Sequence, residues 1–449
     1  MTGRGAPPGP AKPSAPGVHP KPLWSVRPAS DREAGDAIVS NFLLHWFPAK
    51  ALKASLDWNY SMWLGTVSAA LLLLLVLSGM PLLFLYIPSV ERAYASVKDI
   101  EYVVTFGSWI RSVHRIAAHL MVAAVFLHLA RVFLTGAYKN GTGRGQRREW
   151  NWAIGVGMLL LTLFLSFTGY LLPWDQLAYW AVTVGTNIAS SIPFAGPKIR
   201  ELLLGGRAID QPTLIRFYVL HVIALPGLLG ILFVYHMWRI RKDGGLARAD
   251  REALLGERRE EPPGKTKTYT LLGIARGTTP AIRATSIEAP DAMVSSVPDL
   301  TRRAAIVVFG TIAVLSILSV FIRSPLEEPA NPLVTPNPAK APWYFLWLQE
   351  IVTDTTVHIG SFTINGAFLG GVILPGLLIS LLTAWPWIDR SPAAAAGAWF
   401  ATSRRTQNLV FIALALAVVL LTLVGLLCRG PYWYFYWPWE QWPEIPARI

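Results

Sequence analysis

The sequence predicts an all-α integral membrane bundle, on three observations. Of its 449 residues, 53% are hydrophobic and only 15% are charged. Apolar runs long enough to span a bilayer recur seven times, near Met62–Tyr86, Val113–Thr135, Trp152–Leu172, Phe217–Trp238, Ala304–Ile322, Ala367–Trp387 and Leu409–Leu427. Backbone groups in lipid must pair internally, so each run reads as a helix. Basic residues collect in alternate connections: Lys50 and Lys53, then Lys139, Arg144, Arg147 and Arg148, then Arg239 to Arg259, then Arg390, Arg404 and Arg405. By the positive-inside rule the N-terminus lies in the cytoplasm and the C-terminus outside; a bacterial inner membrane, with the C-terminus in the periplasm, is the expected location. The net charge of +13 therefore follows membrane topology. It indicates membrane lipid as the partner and excludes nucleic acid.

Residues 1–35, rich in Pro, Gly and Ala, read as a disordered cytoplasmic tail. They carry no signal-peptide pattern. From Asp36 to Leu56, with Phe42, Trp46, Phe47 and Lys50, the pattern predicts an amphipathic helix on the inner membrane face. The first span carries Gly65 and Gly79, and the third carries Gly155 and Gly169. Both pairs are fourteen residues apart.

The second span contains RSVHRIAAHLMVAAVFLHLAR, with three histidines and three arginines. Ionisable side chains at membrane depth are costly and mark function. His114 and His128 are also fourteen apart, so they share a face within roughly 40° and stand ~21 Å apart along the axis. In the fourth span His221 and His236 are fifteen apart, within roughly 60° of one face. Two matched pairs stacked across a bilayer describe a bis-histidine clamp for two haems, because imidazole is an axial ligand for haem iron. The four glycines, at matching spacing, would let two flat macrocycles approach the backbone, although glycines in membrane helices also serve close helix packing. His119 points roughly 140° away from His114 and reads as a packing or lipid-edge histidine.

The third span ends at Pro173 in TGYLLPWDQLAYW, followed by an outer loop with short amphipathic pieces. Arg111, Arg115 and Arg216 lie near the outer ends of the histidine helices, and Arg131 lies one turn past His128. A guanidinium binds carboxylate bidentately, which suits haem propionates, and snorkelling is the alternative. The chain then divides into a four-helix haem-binding part (36–240), a basic cytoplasmic linker (241–303), a three-helix C-terminal part (304–430) and an aromatic outer tail (431–449). In the last outer loop Pro342 is placed to start a helix. The single cysteine, Cys428, permits neither an internal disulfide nor a C-x-x-C-H attachment. Any haem is therefore expected to be non-covalent.

IRSVHR, the two histidine pairs, the four glycines, GYLLPWDQLAYWAV and PWYF together resemble cytochrome b of the cytochrome bc complexes, over about residues 36–430. The fifteen-residue spacing and seven helices are similar to the chloroplast and cyanobacterial form, with its two chains fused. The resemblance implies a subunit of a quinol:cytochrome c oxidoreductase. It implies two b haems, the outer on His114 and His221 and the inner on His128 and His236. Quinol, with menaquinol among the candidates, would be oxidised at an outer site enclosed by Tyr170, Trp174–Trp180 and Trp343–Glu350, which includes Tyr344. One electron would pass to a Rieske iron–sulfur protein and then a c-type cytochrome. The other would cross the haems to an inner quinone site, with proton uptake near Arg241, Lys242 and Asp243. The complex would be a homodimer that translocates protons.

Two positions depart from the family pattern. Trp63 stands where the chloroplast-type chain attaches an extra haem through cysteine, so no covalent haem is expected. Pro342 stands where the family has a glutamate that takes a quinol proton. Glu350 lies eight residues on, within roughly 80° of the same helix face. It is expected to accept that proton, its pKa raised by burial. Two other readings stay open on the sequence: a di-haem membrane anchor of another quinone-linked dehydrogenase, and a haem-free transporter or structural subunit.

Overall fold

The structure is a computed structural model that describes residues 47–48, 50–140, 146–248, 293–360 and 362–443. The expected N-terminal tail and most of the 241–303 linker lie outside these residues, as does residue range 36–46 of the expected amphipathic helix. The helix is not formed in what remains of that stretch. Lys50–Leu52 is a strand (β1) paired antiparallel with Met293–Ser295 (β2), and Lys53–Leu56 is a single 3-10 turn. Pairing with a distant segment satisfies backbone groups that an amphipathic helix would have bonded internally.

Among the described residues, seven helices are long and apolar enough to cross a membrane. Among the described residues the helices that matter here are α1 (Leu64–Leu85), α2 (Ala93–Tyr102), α3 (Gly107–Leu134), α4 (Arg148–Leu171), α5 (Gln176–Ser190) and α6 (Gly196–Leu204). They continue with α7 (Gln211–Lys242), α8 (Thr301–Phe321), α9 (Trp343–Asp354), α10 (Gly366–Ile388) and α11 (Arg405–Leu427). The spanning helices are α1, α3, α4, α7, α8, α10 and α11; each overlaps one predicted run.

Helix α1 packs along α3, α7 packs along α4, and α9 packs along α11. The C-terminal helices do not stand apart from the first four: α8 lies against α1 and α3, and α10 lies against α4. One apolar cluster (Leu71, Leu74, Val113, Ala117, Met121, Leu315) joins α1, α3 and α8. Another (Phe133, Trp152, Leu159, with Trp385 and Phe411) joins α3 and α4 to α10 and α11. Leu318, Phe321, Leu416 and Leu420 remain exposed on α8 and α11, as lipid-facing residues should.

Helix α7 is not uniform. Leu220–Ala224 forms a π-helical turn directly before Leu225-Pro226-Gly227. In α10, Leu369–Ile373 does the same before Leu374-Pro375-Gly376. Proline has no N–H and its ring clashes with the carbonyl four residues back, so the preceding turn widens. A π turn absorbs one extra residue. The fifteen-residue spacing of α7 is thereby brought into phase with the fourteen-residue spacing of α3, and the offset expected from straight-helix arithmetic shrinks.

Candidate functional site

At one end of the bundle His114 of α3 and His221 in the π turn of α7 face each other. Their ring centroids are 6.2 Å apart and their planes cross at 76°. An imidazole nitrogen sits ~2.0–2.1 Å from a metal it binds. Two such bonds plus the offset of each nitrogen from its ring centre account for the separation. The hydrogen bonds also fix which nitrogen is free. Ser78 Oγ donates to Leu74 O at 2.7 Å and therefore accepts from His114 Nδ1 at 3.0 Å. His221 Nδ1 donates to Leu165 O at 3.1 Å. Both Nε2 atoms keep their lone pairs, the tautomer a metal ligand needs.

His128 of α3 and His236 of α7 line one cleft at the other end, with about 740 Å³ of empty space. Each predicted glycine sits against one of the four histidines. A Cβ on Gly79 would meet His114 Cε1 at 3.2 Å, on Gly169 His221 Cε1 at 2.4 Å, on Gly65 His128 Cε1 at 3.1 Å, and on Gly155 His236 Cε1 at 3.8 Å. The glycines of α1 and α4 thus make room for the imidazoles.

The predicted arginines fare differently. Arg131 is 3% exposed, lies 4.6 Å over the Tyr60 ring and lines the cleft. Its Nε and Nη2 have no hydrogen-bond partner among the described residues. A buried guanidinium left in this state calls for an anion. Arg111, in contrast, has both its Nη1 and Nη2 atoms bonded by the protein. It donates to Glu101 Oε2 at 2.8 Å, Ser324 O at 2.9 Å and Pro325 O at 2.6 Å. The expectation of a propionate partner is corrected for Arg111, because the chain itself supplies a carboxylate. Arg216 is exposed and donates to Leu202 O, so it ties α7 to the end of α6. Arg115 is half-buried and bonds weakly to Pro325 O at 3.3 Å.

Of the three residues expected at an inner quinone site, only Asp243 lines the cleft. Its carboxylate is held by Arg239 at 2.8 and 2.9 Å and accepts from Arg147 N at 3.0 Å. Lys242 is exposed, with Nζ 4.7 Å over the Trp238 ring, and neither it nor Arg241 reaches the cleft lining. Arg148, Asn151 and Tyr138 line it instead. In the sequence Arg148 was legible only as one of several cytoplasmic charges.

Beside the His114–His221 pair, α3, α4 and α9 converge. Tyr344 is buried and its hydroxyl is coupled to Ser166, Arg115 and Tyr170. Burial first, and only then its neighbours, sets that hydroxyl, which is pushed up to about 12 and stays protonated at working pH. Glu350 is not part of this group. It is 1% exposed, so it does not face outer water, but Arg429 clamps both of its carboxylate oxygens. Arg429 in turn donates to Trp433 O at 3.2 Å, so the aromatic tail holds the clamp closed. The expected free proton acceptor is therefore corrected to a buried ion pair. His119 packs, as one of its two expected roles has it, with Tyr344 on its ring at 5.7 Å between centroids; it also accepts a hydrogen bond at Nδ1 from Trp343 Nε1 at 3.0 Å.

Residues 50–244 match the family model Cytochrome b/b6/petB, and residues 329–437 match Cytochrome b(C-terminal)/b6/petD. Cytochrome b6 of Tupiella akineta is 44% identical over 181 residues, which are 40% of this chain and 81% of that one. Cytochrome b6 of Synechococcus elongatus is 41% identical over the same shares.

The chain belongs to the cytochrome b/b6 family.

The N-terminal and C-terminal parts of the family are fused here, in a multi-pass, all-α membrane protein of the bc-type electron-transport complexes. A chain of a solved "Hyperthermophilic respiratory Complex III" superposes with TM-score 0.61 at 24% identity, covering 85% of this chain and 86% of that one. At that identity the likeness speaks for the fold.

Proposed function

We propose that this chain is the di-haem membrane subunit of a quinol-oxidising bc-type complex. The observation that carries the reading is the His114–His221 pair: two imidazoles 6.2 Å apart, with both Nδ1 atoms engaged in hydrogen bonds, which leaves each Nε2 its lone pair. His128 and His236, which line the second cleft, would hold a second haem, with Arg131 left for a propionate. Haem b would supply one-electron carriage at each position; the redox chemistry belongs to the cofactor and its placement to the protein.

The chain's own residues do the remaining work. Gly65, Gly79, Gly155 and Gly169 admit the imidazoles. Arg115, Tyr170 and Tyr344 shape a quinol site at the His114 end, which is the periplasmic one. Tyr344 stays neutral there and acts as a hydrogen-bond donor. At the cytoplasmic His128 end, Arg148, Asn151 and Asp243 face quinone and the entering protons. Partners are a Rieske iron–sulfur protein, a c-type cytochrome and a second copy of the chain. Trp63 is 7% exposed and occupies its position with an indole, which favours non-covalent haem only.

The test is reductive. The complex, purified from its native membrane, should show two bis-histidine b-haem signals, a co-purifying Rieske protein, and haem reduction on mixing with quinol. Absence of haem bands would sink the reading. Haem without a Rieske protein would redirect it to another quinone-linked dehydrogenase.

A further inference from the structure

Resting on that reading, we infer that His119 is a quinone-binding residue of the periplasmic site. It would act as a hydrogen-bond donor to a ring oxygen. An indole N–H only donates, so the bond from Trp343 Nε1, at 3.0 Å, assigns His119 Nδ1 as the acceptor. A neutral imidazole carries one N–H, which must then be on Nε2. Among the described residues no hydrogen bond is made by Nε2, and it is not among the buried polar atoms that lack partners. The ring thus offers one outward N–H donor in an accessible position. A proton added to His119 would displace Trp343, since both nitrogens would then donate. The pair is built to give a hydrogen bond and is poorly suited to take a proton.

The surroundings fit a flat aromatic ligand. Trp343 and Tyr344 lie with centroids 5.4 Å apart, Tyr344 and Phe345 4.9 Å apart, and Phe345 meets Phe167 of α4 at 6.2 Å. Tyr344 also packs on the His119 ring. An aromatic surface with the His119 N–H beside it suits a ring that bears an acceptor oxygen better than it suits an acyl chain, which needs no donor. His119 is five residues further along α3 than His114, ~7.5 Å deeper, within the apolar span where a lipid-soluble quinone is found. Arg115, one turn before His119 on α3, couples electrostatically to Tyr344 and Tyr170. The two helix positions therefore serve one site.

The experiment uses the intact complex and two probes, a short-chain ubiquinone and a short-chain menaquinone, in oxidised and reduced forms. In the wild type, infrared difference spectra should show a quinone carbonyl lowered by hydrogen bonding. His119→Phe should remove that lowered band and raise the KM for the preferred quinol roughly tenfold, the scale of one lost hydrogen bond. Both haem spectra should be retained. His119→Gln, which keeps an N–H donor, should recover much of the band. If His119→Phe does not assemble, Trp343→Phe serves: it frees Nδ1, lets the proton move between nitrogens and should weaken the band. An unchanged carbonyl band and KM in His119→Phe, or an unchanged band in Trp343→Phe, overturns the inference. The broader reading fails separately, when wild-type complex itself is not reduced by either quinol. The carbonyl band still decides the role of His119 in that event.

Discussion

The His114 end and the His128 end of the bundle hold matched histidine pairs, yet they use their buried arginines in opposite ways. At the His114 end Arg111 is consumed by Glu101, Ser324 and Pro325. The segment after α8 is thereby tied to α3, and Gln176 N bonds to Glu328 O at 2.8 Å nearby. At the His128 end two nitrogens of Arg131 have no partner among the described residues, beside an open cleft. Burying a guanidinium is costly at either end. At one end the protein itself compensates it, so the arginine is a structural tie. At the other, two of its nitrogens go uncompensated by the described residues. The position of an arginine near a histidine does not tell the two uses apart.

The largest expected effects break the histidine pairs. His128→Ala should abolish one of the two b-haem signals and leave the other, because each site has its own ligand pair; His114→Ala should do the converse. Redox difference spectra of the purified complex check this, and loss of both signals from either variant would contradict independent sites.

Next, Arg111→Leu and Arg131→Leu separate tie from ligand site. Arg111→Leu strands buried Glu101 and should lower stability by about 3–5 kcal/mol, seen as a reduced thermal unfolding midpoint. Arg131→Leu should leave unfolding of the haem-free protein nearly unchanged and shift the midpoint potential of the His128-end haem. A large fall in the stability of haem-free Arg131→Leu would mean that Arg131 is also a structural tie.

The glycines sharpen the comparison further. A methyl on Gly169 would lie 2.4 Å from His221 Cε1, whereas one on Gly155 would lie 3.8 Å from His236 Cε1. Gly169→Ala must push the imidazole aside, at a cost of ~1–3 kcal/mol for overpacking, with a perturbed His114-end spectrum. Gly155→Ala should be nearly silent. Equal spectral changes in the two would show that the haem edge, not the histidine, sets the requirement.

The smallest effect concerns Asp389, just past the end of α10. Asp389 accepts from Tyr138 at 2.7 Å and from Arg404 Nε at 3.3 Å, and pairs with Lys139 at 3.4 Å. Burial alone would raise its carboxyl, but the Tyr138 hydroxyl, the Ser391 N–H and the Lys139 charge outweigh it and hold it below the ordinary range. A depressed pKa adds stability above the unfolded value and loses it as pH falls through the folded one. Thermal stability should therefore decline below about pH 4. In Asp389→Asn that acid-dependent part of the decline should be absent.

The seven spans, both histidine pairs and the four glycines were legible in the sequence by itself. Hydrophobic length and a fourteen-residue period are local quantities that a one-dimensional string preserves. Only the tertiary structure decided which buried charges are satisfied and by whom. Glu350 meets Arg429 79 positions away, Arg111 meets Ser324 across 213, and Trp343 meets His119 across 224. Each contact joins the C-terminal helices or their connecting loops to a partner that no helical periodicity could specify. The π turn before Pro226 was half legible: proline signals a break, but only the folded helix shows that the break widens a turn and brings His221 into phase with His114.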